Sequence, residues 1–257
     1  MSRLRVGLVV ALLVAAGPVA GADRLYSIDG QTLHVETQGR HGPGIVFEAG
    51  LGADTRTWGR VAAPIAAFGR VILYDRAGLG GSLPLQAADP VTAEDVARRL
   101  HALLDRVGVP PPWILVGHSL GGLYLQMFAR TYPQDVAGLV LLDSSIAEAP
   151  PELDPLWEME PGSAEFYEGA GMAESGRQVR GAGPFPDVPL TVIAATDHGT
   201  DLHALEPVLL RFQERLAEMS PRGRLVVAEG SGHQIQDDRP DLVIDAVRAI
   251  AEGEARP

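Results

Sequence analysis

The chain has 257 residues, of which 46% are apolar and 21% charged, a composition typical of a single globular domain with a sizeable core. Its 33 acidic and 21 basic residues give a formal net charge of −12, and no stripe of lysine and arginine interrupts the acidity, so we expect no nucleic-acid partner. Because the chain has no cysteine, disulfides, thiol nucleophiles and thiolate-bound zinc are all excluded.

The N-terminal residues 1–22 read as a secretory signal peptide. "MSRLR" carries two arginines, "VGLVVALLVAAG" is apolar, and "AGA" ends at Ala22 with a small residue on each side of its glycine. The apolar run falls short of the roughly 20 residues that span a bilayer. We therefore predict cleavage after Ala22, a secreted or periplasmic protein, and no stable membrane span after cleavage. A retained anchor or a buried helix remains the alternative.

The remainder, residues 23–257, alternates apolar strand-like runs with helical patterns. Seven runs predict strands: TLHVET, GIVFEA, VILYD, WILVG, GLVLLD, LTVIAA and RLVVAE. The later runs are almost continuous Val, Ile and Leu, which is typical of parallel strands buried on both faces. Five stretches between them have apolar residues at spacings of three and four. The pattern predicts an α/β fold with a mostly parallel central sheet flanked by helices, and its first two strands could form an antiparallel entry.

Residues 144–188 interrupt this alternation. They are rich in proline, glycine and acidic residues and have few regularly spaced apolar positions. An insertion of this length between two strands is often a lid. We expect it to form a short cap.

The stretch "GHSLGG" fits the pattern G-x-S-x-G at Gly117, Ser119 and Gly121, between an apolar strand and a predicted helix. A serine on a strained strand-to-helix turn leaves no room for Cβ atoms two positions away on either side, which explains both glycines. The following helix N-terminus offers free N–H groups to a developing negative charge. We therefore predict that Ser119 is a nucleophile; a plain structural turn would not need a serine there.

A serine nucleophile needs a base, and His233 is the candidate among the seven histidines. It follows the last predicted strand in "AEGSGHQIQDDRP", which fits the chain order serine, acid, histidine. His118 lies beside the serine and is expected to pack or orient neighbouring groups. His198 and His203 follow the preceding strand and are candidate pocket residues.

The quoted motifs, together with "VILYDRAGLGGS" and "GLVLLDSS", resemble the α/β-hydrolase fold superfamily in its serine hydrolase, esterase-like branch, over roughly residues 24–252. The resemblance implies an acid partner for His233. Asp143 closes the sixth strand of the superfamily's order, where some members carry the acid, and Asp197 follows the seventh, the more usual place. Asp143 is favoured narrowly because Asp197 is one residue out of the usual register, and its gap of 36 positions to His233 is longer than the resemblance leads us to expect.

The resemblance also implies an oxyanion hole made by two backbone N–H groups. Leu120, directly after the nucleophile, supplies one, and Leu51 in "EAGLG" supplies the other. Ala49 replaces the histidine that relatives often have in this loop, while Gly50 keeps the backbone freedom.

The predicted activity is hydrolysis of a small carboxylic ester through an acyl-enzyme, with no cofactor and no metal. Ser119 in place of the aspartate of related dehalogenases and epoxide hydrolases argues against those two activities. Amide or peptide cleavage, lactone hydrolysis, perhydrolysis and a non-catalytic ligand-binding role are the alternatives. The expected partner is a small-molecule ester, and the sequence leaves the oligomeric state open.

Overall fold

The computed structural model describes residues 21–86, 89–147, 159–200 and 202–253. Residues 1–20 of the predicted signal peptide lie outside the described residues, so cleavage and export stay predictions. Ala22, the last residue of that predicted segment, is the first residue of the first strand.

A single eight-stranded sheet forms the centre of the protein. Its strands are β1 (Ala22–Ile28), β2 (Gln31–Gln38), β3 (Gly44–Glu48), β4 (Arg70–Tyr74), β5 (Trp113–His118), β6 (Val136–Leu142), β7 (Leu190–Ala195) and β8 (Gly223–Ala228). They lie in the order β1-β2-β4-β3-β5-β6-β7-β8. The six strands from β4 to β8 in this order are parallel, and β2 is antiparallel to both β1 and β4. The predicted mostly parallel α/β sheet is confirmed.

The antiparallel entry differs from the expected one. The first two predicted strands correspond to β2 and β3, which are not neighbours, because β4 lies between them. The antiparallel partner of β2 at the sheet edge is instead β1, which the apolar pattern did not reveal. β1 is mostly exposed, with Leu25 at 57% exposure, so its sequence carries little of the signal that marks a buried strand.

Seven α-helices occur in the described residues: α1 (Ala62–Ala66), α2 (Ala93–Val107), α3 (Leu120–Thr131), α4 (Ala164–Gly181), α5 (Glu206–Ala217), α6 (Ile235–Asp238) and α7 (Pro240–Ala251). Each face of the sheet has its own apolar core. Helices α2, α3 and α5 contribute to one core, and α1 and α7 contribute to the other. This two-sided burial explains the continuous apolar runs of the central strands.

The boundaries of α2 show why the sequence predicted it well. The hydroxyl of Thr92 accepts a hydrogen bond from the backbone N–H of Asp95 at the N-terminus. Gly108 ends the helix at φ 79°, a left-handed conformation that suits glycine.

The predicted cap region, 144–188, contains helix α4, while its residues 148–158 lie outside the described residues. The helix escaped the apolar pattern because four of its five buried residues are glutamate, glycine or serine, and Val179 is the one large apolar residue among them. A Cβ on Gly171 would lie 1.8 Å from the carbonyl oxygen of Val91, so only glycine permits this approach. The hydroxyl of Ser175 accepts a hydrogen bond from the N–H of Ala93 at 3.0 Å. In the described part of the chain, no helix is both long and apolar enough to cross a membrane.

Candidate active site

Ser119 stands on a strained turn between β5 and α3. Its backbone has φ 51° and ψ −125°, a conformation that costs energy for any residue with a Cβ. A Cβ at Gly117 would lie 2.8 Å from the Cα of Gly122, and one at Gly121 would lie 2.3 Å from the carbonyl oxygen of Glu48. The turn is therefore possible only with glycines at positions 117 and 121. The Ser119 hydroxyl does not cap α3 and is free of that role.

The loop that carries His233 meets this turn through His118. The Nε2 atom of His118 lies 2.9 Å from the carbonyl oxygen of His233, and the two rings are 4.5 Å apart between centroids. Burial of the His118 ring, together with the nearby His233, lowers the pKa of His118 to about 3. His118 is therefore neutral, and its Nε2–H donates to that carbonyl. The expected orienting role of His118 corresponds to this contact.

Asp143 lies at the end of β6 and contacts the ring of His233. Its Oδ2 atom is 2.6 Å from Nδ1 of His233, whose side chain is 37% exposed, while the Asp143 side chain is 6% exposed. The other candidate acid, Asp197, is exposed, and its carboxylate accepts a hydrogen bond from the N–H of Gly199 at 3.1 Å. The geometry thus pairs His233 with Asp143.

A second histidine approaches Asp143 from the neighbouring strand. Nε2 of His198, which follows β7, lies 2.7 Å from the same Oδ2 atom. Burial alone would raise the pKa of Asp143, but the hydrogen bonds of His198 and His233 outweigh it and lower that pKa well below its usual range. The Asp143 carboxylate is therefore ionised and accepts a hydrogen bond from each of the two histidines.

These three side chains are also the group among the described residues that could hold a metal ion, with their ligand atoms within 4.8 Å of one another. Two ligands bound tetrahedrally at about 2.0–2.1 Å lie about 3.3 Å apart. The observed separations from Oδ2 of Asp143 are 2.6 Å to His233 and 2.7 Å to His198, which are the lengths of hydrogen bonds. The present arrangement fits a hydrogen-bonded network better than a metal centre.

The loop after β3 lies directly against the Ser119 turn. A Cβ built on Gly50 would be 3.3 Å from the Cβ of Ser119. The N–H of Ala53 donates to the carbonyl of Gly50 at 3.1 Å, and Gly52 has φ 64°, so the segment forms a tight turn with Leu51 in its second position. Leu120 is the first residue of α3, where N–H groups have no partner within the helix. Leu120 therefore directly follows Ser119 in the chain, and Leu51 directly follows Gly50, the residue that lies against Ser119; their role as oxyanion donors stays a prediction.

A buried arginine fixes this loop from below. The guanidinium of Arg76 donates to the carbonyl oxygens of Ala49 at 2.7 Å and Gly50 at 2.6 Å. It is paired with Glu48 at 2.8 Å and with Glu168 of α4 at 2.6 Å. Glu168 also accepts a hydrogen bond from the N–H of Gly52 at 2.9 Å. Helix α4 is therefore connected directly to the predicted oxyanion loop.

Comparison with known proteins identifies the family. Residues 43–186, more than half of the chain, match the family model described as the alpha/beta hydrolase fold. The chain belongs to the α/β-hydrolase family. The predicted resemblance and fold class are confirmed, and the protein is an α/β hydrolase.

Two curated relatives and one solved structure show the extent of the similarity. This α/β hydrolase is 29% identical to the uncharacterized protein YqjL of Bacillus subtilis over 235 residues, which cover 87% of this chain and 90% of YqjL. It is 38% identical to lipase LipV of Mycobacterium tuberculosis over 121 residues, which cover 45% of this chain and 42% of LipV. The enol-lactonase of Burkholderia xenovorans LB400 aligns with a TM-score of 0.72 at 21% identity, covering 88% of this chain and 99% of that one.

The sequence did not reveal three partners of this site. They are Glu206, which binds His198, and the pair Arg76 and Glu168 beneath the oxyanion loop. His198 itself was considered only as a pocket residue. The sequence could have predicted its contact with Asp143. His198 follows β7 and Asp143 follows the adjacent parallel strand β6, so both lie at the same edge of the sheet.

Proposed function

We propose that this α/β hydrolase cleaves a small carboxylic ester through an acyl-enzyme on Ser119. The observation that carries the proposal is a strained serine turn whose His118 contacts the backbone of His233, a histidine that is hydrogen-bonded to the buried Asp143. A nucleophile, a base and a group that orients the base are the parts that acyl transfer requires. The likeness to a lipase and to an enol-lactonase supports this class of substrate.

In the first step, His233 takes the hydroxyl proton of Ser119 while the serine oxygen bonds to the ester carbonyl carbon. The resulting tetrahedral oxyanion accepts hydrogen bonds from the N–H groups of Leu51 and Leu120. When the intermediate collapses, the carbon–oxygen bond to the alcohol breaks and His233 returns its proton to the leaving alcohol.

In the second step, His233 removes a proton from water, and the hydroxide oxygen bonds to the acyl carbon. Collapse of the second tetrahedral intermediate breaks the acyl–serine bond and regenerates the Ser119 hydroxyl with the proton held by His233. Asp143 fixes the imidazole with its Nδ1–H facing the carboxylate and stabilises the imidazolium that forms in each step.

We expect esters with short acyl chains to react best, because the described part of the cap presents little apolar surface. Phe166, at 37% exposure, is the large apolar side chain of α4 that is exposed to solvent. Faster hydrolysis of long-chain than of short-chain p-nitrophenyl esters would contradict this preference.

The experiment that tests the proposal compares p-nitrophenyl ester hydrolysis by the wild type and by Ser119→Ala. Loss of the nucleophile should lower kcat by on the order of 10⁶-fold, as in other serine hydrolases, with the fold intact by circular dichroism. Ser27→Ala, which alters an exposed serine on the edge strand β1, is the matched control and should keep wild-type activity. Ordinary turnover by Ser119→Ala would overturn the proposal.

A further inference from the structure

One carboxylate oxygen of Asp143 has two histidine partners. Oδ2 lies 2.6 Å from Nδ1 of His233 and 2.7 Å from Nε2 of His198. The role proposed above for Asp143 accounts for its contact with His233 but not for its contact with His198. The side chains of Asp143 and His198 are 6% and 8% exposed, so their contact is shielded from water.

The surroundings of His198 determine its charge. Its other ring nitrogen, Nδ1, lies 2.8 Å from a carboxylate oxygen of Glu206, and its backbone N–H donates to the second oxygen of Glu206 at 2.7 Å. An ionised carboxylate can only accept hydrogen bonds, so a ring with carboxylates at both nitrogens must carry a proton on each. His198 is therefore an imidazolium. The same contacts raise the pKa of His198 to about 9, with the Asp143 bond as the largest cause and burial opposing it.

We propose that His198 is a positioning residue that acts on His233 through Asp143. Its bond to Oδ2 fixes the carboxylate in the orientation that receives His233, and its positive charge stands 6.3 Å from the His233 ring between centroids. This inference rests on the proposed function, because it assigns His233 the role of base. The inference adds that the positive charge of His198 changes the pH range in which His233 can act as the base.

The sign of the effect follows from charge. A cation on His198 disfavours a second cation on His233 and weakens Asp143 as an acceptor, so it extends activity to lower pH. The other titratable groups around this pair are His118, which is neutral, Glu206, which is bonded to His198, and the exposed Asp197. His118 contacts the backbone of His233 and supplies no compensating charge.

The first test is the pH dependence of kcat/KM for wild type and His198→Gln. Glutamine keeps an N–H donor for Asp143 but removes the positive charge. We expect the acidic limb of kcat/KM to move to higher pH by about one unit, the scale for one charge at this distance in a partly exposed site. His101→Gln is the matched control, since His101 also contacts an aspartate, Asp135 at 2.9 Å, away from Ser119. Its profile should overlie that of the wild type.

Coincident acidic limbs for wild type and His198→Gln would overturn the inference, and so would a loss of activity at every pH without a shift. Either result differs from failure of the proposed function, which would appear as retained activity of Ser119→Ala.

A second measurement needs no activity and serves if His198→Gln does not fold. In Ser119→Ala protein labelled with ¹⁵N-histidine, the two ring nitrogens of His198 should keep imidazolium chemical shifts from pH 6 to 8. Replacing Glu206 by Gln should lower the pH at which His198 loses its proton. A neutral His198 ring at pH 7 in the protein with Glu206 intact would contradict the inference.

Discussion

Two histidines next to the His233–Asp143 pair differ in charge, since the surroundings keep His118 neutral and His198 positively charged. His118 is buried with one hydrogen bond to a carbonyl, which makes the neutral ring favourable and lowers its pKa to about 3. His198 lies between two carboxylates, which raise its pKa to about 9. The His118 ring contacts the backbone carbonyl of His233, whereas the His198 ring is linked to His233 through Asp143. Mutation of each histidine can therefore separate their effects on His233.

The choice between the two candidate acids is tested by a matched pair of substitutions. Asp143→Asn should lower kcat by about 10⁴-fold, because a neutral amide no longer stabilises the His233 imidazolium or fixes its tautomer. Asp197→Asn should leave kcat within a few-fold of the wild type, since that carboxylate is exposed and accepts from the backbone of Gly199. Steady-state kinetics on one ester decides it. A larger loss for Asp197→Asn would reverse the assignment of the acid.

At the scale of elements, helix α4 and the loop after β3 form one unit through Arg76. The arginine binds two carbonyls of the loop, and Glu168 of α4 binds both the arginine and the N–H of Gly52. A buried cation with fixed acceptors holds a backbone turn more firmly than loop sequence alone can. The position of the Leu51 N–H therefore depends on a residue more than a hundred positions later.

Glu168→Gln tests this coupling. The amide can keep the shape of the side chain but leaves the buried Arg76 with Glu48 as its remaining carboxylate partner. Breaking one partner from a buried ion pair costs about 3–5 kcal/mol, so we expect a large fall in the free energy of unfolding in urea. We also expect a lower kcat with little change in KM, because the proposed function assigns the Leu51 N–H to the oxyanion that forms after substrate has bound. Unchanged stability and unchanged kcat would show that α4 does not support the loop.

The elements differ in how well the sequence predicted them, for physical reasons. The central strands and α2 were predicted because burial on both faces and a capped amphipathic pattern leave a clear record in the residues. Strand β1 was missed because it lies exposed at the sheet edge. Helix α4 was missed because Val179 is the one large apolar residue among its five buried residues, the others being glutamate, glycine and serine. The candidates Ser119, Asp143 and His233 come from motif and chain order, whereas the link from Glu206 to His198 needs three-dimensional contacts.

At the scale of the whole molecule, the parallel sheet gathers residues that are distant in the chain. Ser119, Asp143, His198 and His233 follow β5, β6, β7 and β8, and the carboxyl ends of adjacent parallel strands lie at one edge. Because the pKa values of His118 and His198 at this edge differ from that of a free histidine, the stability of the whole fold depends on pH.

His118 should destabilise the folded state in acid. Its folded pKa is depressed to about 3, so below pH about 6.5 the unfolded chain binds a proton that the folded chain refuses. This group therefore lowers the free energy of unfolding by up to about 1.4 kcal/mol for each pH unit as the pH falls from 6.5 toward 3.

Urea unfolding of wild type and His118→Gln between pH 6 and 4 measures that contribution. Glutamine keeps a donor for the carbonyl of His233 but does not titrate, so the variant should lose the pH dependence of stability that corresponds to about one proton. Parallel stability curves for wild type and His118→Gln in acid would contradict the account of His118.

The effect of His198 on stability has the opposite sign to that of His118. The raised pKa of His198 gives stability that is present below pH about 6.5 and lost as the pH rises through about 9.

The central claim is that Ser119 is the activated nucleophile, and covalent labelling with a fluorophosphonate tests it most directly. Mass spectrometry of the digested protein should place one phosphonyl group on the peptide that contains Ser119, and Ser119→Ala should take up none. An adduct on another residue, or a wild-type protein that stays unlabelled while folded, would contradict the claim.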